Sequence, residues 1–323
     1  MKFMERENRL SADTAHTMAV RAAEGIGSSQ DWAAALDYLE QAAEEGFVLA
    51  QAELAGLSGN WALAHAILAE NSAAQSWWSR FLKSFGLARW LRPRRPQWSG
   101  LRNSIDIAKW LSPPCPSAVI SEAPRMVILK DVATPEICDW LIARARPRLK
   151  RAQVYGYDGK DAKMLFTEER TNSECVFGTQ DRDLFIAILR TRIAEAVQIP
   201  ARTMEPPEVL HYSVGQEFKR HYDSPSDPSA PGIPQRVITL LLSLNEDYEG
   251  GETEFPLAGG RWRGRKGTAI YFWNVGPDGA RDERSLHGGL PIIRGEKWLM
   301  TQFIDRPKQA PDLSLPHAAA RQG

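Results

Sequence analysis

Beyond residue 207 the chain is a dense series of short apolar segments of strand character, each separated from the next by Gly or Pro turns. These segments are 208–214, 217–222, 236–244, 268–273, 285–293 and 297–304. Short strands at such intervals are typical of β-sandwiches and barrels. Two amphipathic helices are predicted ahead of them, over 134–146 and 181–198. The pattern predicts an α+β domain with a sandwich- or barrel-like body.

The first seventy residues are different, with Ala-rich helical segments that end at residues suited to the left-handed conformation. Helices are predicted over 15–24, 31–45 and 50–57. The run that begins Asp31-Trp32 recurs as Asn60-Trp61, and the run over 42–56 resembles a Sel1-like, TPR-related repeat. Because an independent solenoid needs about three units, we expect this helical repeat-like region to lean on the rest of the chain.

Charge and composition exclude several classes of protein. Lys plus Arg and Asp plus Glu both number 40, so no net charge draws the chain to nucleic acid or a membrane surface. No apolar run has the length of a membrane span, and the first residues lack the apolar core of a secretory signal. Three widely spaced cysteines do not form a disulfide framework. We therefore expect a cytoplasmic protein without a membrane or nucleic-acid partner.

Residues 71–105 are locally basic, although the chain as a whole has equal numbers of basic and acidic residues. Residues 71–105 contain seven basic residues and no acidic one, with four tryptophans between them. Such a stretch either binds an acidic partner or packs its tryptophans while the arginines stay solvated. We favour the packed linker, because no nucleic-acid motif accompanies it.

A candidate metal site comes from His221 and Asp223, two apart in a segment of strand character and so on one face. His287 follows in another short strand. Two histidines and one carboxylate are the facial triad of non-haem Fe(II) sites, although His-x-Asp alone is a weak signal. Lys297 opens the apolar strand WLMTQFI, where a cation is costly unless it meets an anion, and Thr301 shares its face.

Four ordered motifs carry a resemblance to a known family. They are Tyr212-x-x-Gly-Gln-x-Phe-x-x-His-Tyr-Asp223, Tyr248-Glu-Gly-Gly-Glu-Thr-Glu-Phe-Pro256, Gly267-Thr-Ala-Ile-Tyr-Phe-Trp-Asn274 and His287-Gly-Gly-Leu-Pro-Ile-Ile-Arg-Gly-Glu-Lys-Trp298. The segment over 124–306 resembles the catalytic domain of the prolyl 4-hydroxylase family of Fe(II)/2-oxoglutarate dioxygenases. The resemblance implies a double-stranded β-helix, of the jelly-roll type, with supporting helices. It also implies Fe(II), the cosubstrates 2-oxoglutarate and O2, and ascorbate use.

The resemblance also assigns residues to roles. It implies His221, Asp223 and His287 as iron ligands and Lys297 as the partner of the distal carboxylate of 2-oxoglutarate. Tyr212 and Thr301 match positions that line the same cosubstrate pocket.

Two positions differ from the family pattern. Arg170 and Ser173 lie in a stretch that resembles Arg-Thr-Ser at the substrate entrance, with Asn172 where Ser is usual. Phe303 stands where many members carry Trp. Both departures concern the substrate and leave the iron chemistry untouched.

The predicted organisation is a helical repeat region over 1–75, a basic, Trp- and Pro-rich linker over 76–123, the oxygenase domain over 124–306 and a flexible tail over 307–323. The leading functional hypothesis is hydroxylation of a prolyl or other residue of a protein or peptide recruited by the helical repeats. The reaction would convert 2-oxoglutarate to succinate and CO2. A hydroxylase of a free amino acid or small metabolite is the alternative. A non-catalytic binding module is disfavoured, because every ligand position is intact.

Overall fold

The computed structural model describes residues 10–74, 97–158, 161–227 and 232–306. The chain divides into two compact units: Met1–Ser112 with Gln180–Thr191, and Pro113–Thr179 with Arg192–Gly323. The predicted tail 307–323 and most of the basic stretch 71–105 lie outside the described residues. Within the described ranges, no helix is both long and apolar enough to cross a membrane.

The first unit is helical. Its helices are α1 (Ala12–Glu24), α2 (Trp32–Glu44), α3 (Val48–Leu57), α4 (Trp61–Ala74), α5 (Trp98–Asn103) and α6 (Ile107–Leu111). Ser11 and Asp31 cap α1 and α2 by accepting hydrogen bonds from backbone N–H groups of the first turn. Gly25 ends α1 in the left-handed conformation, with φ of 68°. The three predicted helices are thus present, and their small buried Ala faces let them pack closely.

The helical unit also holds Gln180–Thr191, a segment from inside the range predicted for the oxygenase domain. The unit boundary falls within α8 (Leu184–Val197), whose first residues belong to the helical unit. The buried Glu53 carboxylate accepts a hydrogen bond of 2.6 Å from the Leu184 amide and lies 2.6 Å from His16 Nε2. It therefore satisfies one of the orphan N–H groups at the start of α8.

A second buried carboxylate, that of Glu24, pairs with Arg182 and with Arg190, the latter at 3.1 Å. All three side chains are less than 10% exposed. These internal ion pairs build the segment 180–191 into the helical unit.

In the described part of the chain, the second unit contains the helix α7 (Pro135–Ala145), the last residues of α8 and the strands. The first eight strands are β1 (Cys115–Glu122), β2 (Arg125–Lys130), β3 (Lys150–Arg151), β4 (Val154–Asp158), β5 (Asp161–Leu165), β6 (Ser173–Val176), β7 (Glu208–Tyr212) and β8 (Phe218–His221). The others are β9 (Arg236–Ser243), β10 (Tyr248–Gly250), β11 (Thr253–Phe255), β12 (Gly260–Trp262), β13 (Ala269–Trp273), β14 (His287–Gly289), β15 (Ile292–Gly295) and β16 (Lys297–Asp305).

Two antiparallel sheets form the body of this unit. The larger has the order β1-β2-β13-β9-β16-β7-β6-β3 and the smaller the order β12-β11-β14-β8. The core lies between them, because Leu241 and Phe272 of the larger sheet pack with Phe255 and Trp262 of the smaller. The predicted α+β class and two-sheet β-helix body are confirmed. Several adjacent strands, such as β16 beside β7 and β14 beside β8, are distant in sequence, so residues far apart along the chain meet between the sheets.

Candidate active site

A cavity of about 830 Å³ opens between the two sheets of the second unit. Seven of the eight predicted site residues line it: Arg170, Tyr212, His221, Asp223, His287, Lys297 and Thr301. Ser173, in β6, is not among the lining residues. The topology thus brings the predicted iron ligands and the predicted cosubstrate residues into one space.

The triad forms where β8 pairs with β14, because this register sets His221 opposite His287. Asp223 follows two residues after His221. One ligating atom of each side chain lies within 4.8 Å of the other two. Asp223 Oδ1 is 3.6 Å from His221 Nε2, and Asp223 Oδ2 is 3.4 Å from His287 Nε2. The three donors therefore converge on one point.

Both imidazoles are held in the tautomer that a metal requires. His221 Nδ1 lies 2.7 Å from the Lys219 carbonyl oxygen, and His287 Nδ1 lies 2.9 Å from that of Ser285. Because a carbonyl oxygen only accepts, each Nδ1 carries a proton, and each ring turns its Nε2, the atom left for a metal, toward Asp223. Phe218 stacks on the His221 ring with centroids 3.6 Å apart and fixes its plane.

The charge states also suit a cation. Burial lowers the pKa of His287 to about 4, so this ring is neutral at neutral pH. Burial acts to raise the pKa of the Asp223 carboxyl, but the neighbouring His287 and His221 outweigh burial and hold that pKa well below its usual range. Two imidazole nitrogens beside an ionised carboxylate fit non-haem iron, and only one side of the metal would be occupied by protein.

Two buried polar side chains support the carboxylate from behind. Thr239 Oγ1 donates to Asp223 Oδ2 at 2.6 Å, and Asn274 Nδ2 donates to Thr239 Oγ1 at 2.8 Å. Both side chains are essentially fully buried. This chain of donors fixes the orientation of the carboxylate, as outer hydrogen bonds do at metal sites.

Lys297 and Tyr212, the predicted cosubstrate residues, lie opposite each other in the cavity because β16 pairs with β7. The Lys297 side chain is buried, and its Nζ donates to the Gly251 carbonyl oxygen at 2.6 Å. Burial lowers the pKa of Lys297 to about 8, against an opposing effect of Glu252. Among the described residues no carboxylate forms a salt bridge with this ammonium, and the buried Thr301 hydroxyl has no hydrogen-bond partner. A cation and a hydroxyl left in this state fit an incoming carboxylate.

Arg170, the remaining predicted substrate residue, is committed to internal contacts. Its guanidinium lies 2.9 Å from Glu174 and 3.5 Å from Glu208, and its Nη1 donates to the Gln153 carbonyl oxygen at 2.5 Å. Arg170 also lies over the Phe218 ring, 5.0 Å from its centroid. It therefore braces the cavity wall beside the ring that stacks on His221.

Sequence reasoning assigned no role to several polar residues at the site. They are Thr239, Asn274, Arg236 and Arg281. Arg236 pairs with Glu205 at 2.6 Å and lies 3.5 Å from the Phe303 ring centroid. For Thr239 and Asn274 the signal is a polar residue within or directly after an otherwise apolar strand.

The comparisons agree with this geometry. A sequence profile of the 2OG-Fe(II) oxygenase superfamily matches residues 207–305, a range that holds the triad and Lys297. Prolyl 4-hydroxylase 1 of Arabidopsis thaliana is 38% identical over 201 residues, which cover 58% of this chain and 70% of that protein. Prolyl 4-hydroxylase 13 of the same plant is 35% identical over 201 residues, which cover 57% of this chain and 72% of the relative.

One similar solved structure is the viral collagen prolyl hydroxylase of Paramecium Bursaria Chlorella virus-1 in its 2OG complex. Its sequence is 25% identical and the TM-score is 0.46. The match covers 56% of this chain and 96% of the viral chain. The two plant relatives exceed 30% identity over more than two thirds of their own length. On this ground the chain belongs to the prolyl 4-hydroxylase family of 2OG-Fe(II) oxygenases, enzymes that use Fe(II), 2-oxoglutarate and O2.

Proposed function

We propose that this chain hydroxylates a prolyl residue within a protein or peptide. The observation that carries the proposal is one cavity with a complete two-histidine, one-carboxylate triad and a buried ammonium that forms no salt bridge with a described residue. In this proposal His221, Asp223 and His287 hold Fe(II). Lys297 and Thr301 bind the distal carboxylate of 2-oxoglutarate, and Tyr212 forms the wall beside it.

Bound Fe(II), together with 2-oxoglutarate and O2, supplies the oxidising power for hydroxylation of a C–H bond as 2-oxoglutarate becomes succinate and CO2. The residues of the chain supply position and exclude water. The backbone carbonyls of Lys219 and Ser285 keep both imidazoles in their metal-binding tautomer. Leu210 and Leu299 line the cavity on the strands that carry Tyr212 and Lys297, and so limit water there.

The size and lining of the cavity favour a peptide over a small metabolite. At about 830 Å³ it is near the upper end of small-molecule pockets, which run to about 1,000 Å³, so it has room beyond 2-oxoglutarate. Tyr155 and Met164, which face each other across the β4–β5 hairpin, line it as well and are 40% and 41% exposed. Exposed apolar side chains at the rim fit an extended apolar substrate.

The proposal also assigns the helical unit a task. In sequence, the run over 42–56 of this unit resembles a Sel1-like, TPR-related repeat, and surfaces built from such repeats bind protein segments. In this proposal they recruit the protein that carries the target proline, in a reducing cytoplasm and with ascorbate as an accessory reductant. A recruited protein should show a KM at least tenfold below that of its own proline peptide with the intact enzyme. Equal KM values for the protein and its peptide would contradict recruitment by the helical unit and would leave the proposed hydroxylation unaffected.

The test of the reaction is succinate release by the intact iron-loaded enzyme. Proline-containing peptides, free proline and other free amino acids are compared, with the Asp223→Ala variant as the blank. Peptide-dependent succinate and a mass gain of one oxygen on proline are expected. Turnover of free amino acids alone would establish the metabolite hydroxylase instead.

A further inference from the structure

Three arginines line the cavity, and their counter-ions differ. Arg170 pairs with Glu174, and Arg236 pairs with Glu205; in each pair both side chains are at most 14% exposed. The guanidinium of Arg281 is 19% exposed, but its partner Glu283 is 62% exposed. The first two cations are neutralised in a buried setting where the pairing is strong. The charge of Glu283 is screened by solvent, so Arg281 keeps its attraction for a second anion.

The Arg281 guanidinium is held rigidly. Its Nε and Nη2 donate to Glu283 Oε1 at 3.1 and 2.8 Å. Its Cζ lies 4.0 Å from the centroid of the Tyr222 ring. A side-chain hydrogen bond from Tyr222 to Glu283 raises the pKa of Tyr222 and lowers that of Glu283. Within the described part of the chain Nη1 has no hydrogen-bond partner, so a preorganised donor edge remains for a ligand.

This guanidinium lies close to the reacting centre along two routes through the chain. Tyr222, whose ring packs against the guanidinium, lies between His221 and Asp223 in the sequence. The turn that contains Glu283 leads directly into His287 at the start of β14. Arg281 and the triad also line the same cavity. An extended peptide spans about 3.3–3.6 Å per residue, so a peptide with its proline at the triad can place an acidic group from a few residues away elsewhere in this cavity.

We infer that Arg281 is a specificity-determining residue that binds a carboxylate of the substrate a few residues from the hydroxylated proline. This inference rests on the proposed peptidyl hydroxylation and narrows its substrate class to acid-flanked prolines. The carboxylate comes either from an Asp or Glu side chain or from the end of the substrate chain. The flat guanidinium edge is suited to either, because carboxylates accept two parallel hydrogen bonds.

The competing explanation is that Arg281 only braces the turn before His287. A brace would affect metal binding and kcat for all substrates alike. A substrate contact would instead change KM, and only for peptides that carry the acid. The turn also offers a matched control in Arg284, which pairs with Asp282 at 2.8 Å, is 53% exposed and does not line the cavity.

The experiment measures succinate release by the intact iron-loaded enzyme with short peptides that have one central proline. A single Asp is moved along the peptide, Asn stands at the same position in each control peptide, and each peptide has a free or an amidated C-terminus. We expect one Asp position, or the free terminus, to lower KM about tenfold. Arg281→Gln should abolish this preference, and Arg281→Glu should reverse it toward Lys-containing peptides. Arg284→Gln should keep the preference for the acidic peptide. The KM for 2-oxoglutarate should be the same in the wild type and in all these variants.

Each result decides between the two proposals. Turnover of the peptides with no acid preference, or an equal loss of kcat on every peptide in Arg281→Gln, overturns the role of Arg281 and leaves prolyl hydroxylation standing. Absence of turnover for every peptide, with turnover of a free amino acid, overturns prolyl hydroxylation itself. A preference that Arg281→Gln abolishes and Arg284→Gln retains supports the inference.

Discussion

Both units contain buried ion pairs, but the second unit, called here the oxygenase unit, also buries charged groups that its own residues leave open to a ligand. In the helical unit Glu24 meets Arg182 and Arg190, and Glu53 meets His16 and a helix N-terminus. In the oxygenase unit the Lys297 ammonium has, among the described residues, one carbonyl oxygen as its hydrogen-bond partner, and two imidazole nitrogens face one carboxylate. Charges that are satisfied within the chain hold the helical unit together. Charges that await a partner mark where the oxygenase unit binds its ligands.

The largest effect is expected at the triad. His221→Ala, Asp223→Ala and His287→Ala each remove one of three ligands and should reduce Fe(II)-dependent succinate release to that of the metal-free enzyme. His65→Ala, in the exposed part of α4, should keep full activity. Substantial turnover by any of the three variants would refute the metal assignment.

On the helical side the expected effect is on stability. Glu24→Gln leaves two buried guanidinium groups without their carboxylate and should lower the free energy of unfolding by about 3–5 kcal/mol in urea denaturation. The control is Glu122→Gln, because Glu122 is 76% exposed in its pair with Arg125 and should contribute about 0–1 kcal/mol. Equal small effects would show that the buried network is not structural.

Lys297→Met should instead weaken the binding of 2-oxoglutarate and leave the stability of the fold intact. Loss of one partner of a desolvated charge pair costs about 2–5 kcal/mol, so the KM for 2-oxoglutarate should rise roughly thirtyfold or more. Without 2-oxoglutarate, the variant should melt at the same or a higher temperature, because a buried lone ammonium is costly. Lys130→Met, at an exposed position, is the control for both measurements. Unchanged affinity for 2-oxoglutarate would place the cosubstrate elsewhere.

A smaller loss of Fe(II) affinity is expected at Thr239, which hydrogen-bonds the proposed iron ligand Asp223. Thr239→Val keeps the volume of the side chain but removes the donor to Asp223 Oδ2. Fe(II) affinity should fall about 10- to 100-fold, as for other outer hydrogen bonds at metal sites, and the fold should be retained. Thr268→Val, whose hydroxyl donates to the Arg265 carbonyl oxygen in a surface turn, is the matched control. Equal metal affinity in both variants would contradict the supporting role of Thr239.

The smallest effect is a pH dependence. Burial lowers the pKa of Lys297 to about 8, and only the protonated amine attracts a carboxylate. Affinity for 2-oxoglutarate should therefore be constant below pH 8 and weaken by at most about tenfold per pH unit above it. Binding titrations across this range should show the slope in the wild type and a flat profile in Lys297→Met. A wild-type profile that is flat to pH 10 would contradict a titrating Lys297.

The sequence predicted the strands that carry the site better than those that surround it. The predicted strand over 236–244 is β9, at Arg236–Ser243, and 297–304 is β16, at Lys297–Asp305. Both are long apolar runs, buried on both faces, so hydrophobicity alone reveals them. Strands such as β1 and β5 were not predicted, because exposed edges and hairpins carry little apolar signal.

The same contrast holds for the site residues. His221, Asp223, His287 and Lys297 could be predicted because their residue types and their spacing along the chain indicate a chemical role without knowledge of the fold. Thr239 donates to Asp223 directly, and Asn274 acts through Thr239 because β9 pairs with β13; the sequence pattern does not encode either contact. Arg281 lies in a turn between strands, and its proximity to Tyr222 depends on tertiary packing.

The segment 180–191 limits how this enzyme can be produced in pieces. A fragment that begins at residue 113 would take Arg182 and Arg190 away from Glu24. It would also uncover the fully buried Phe185, which stacks on Trp61 with ring centroids 5.1 Å apart. Newly exposed apolar surface of this kind promotes aggregation. Recombinant work on the oxygenase therefore needs the N-terminal helices in the same polypeptide, because trimming at the apparent domain border would yield an insoluble product.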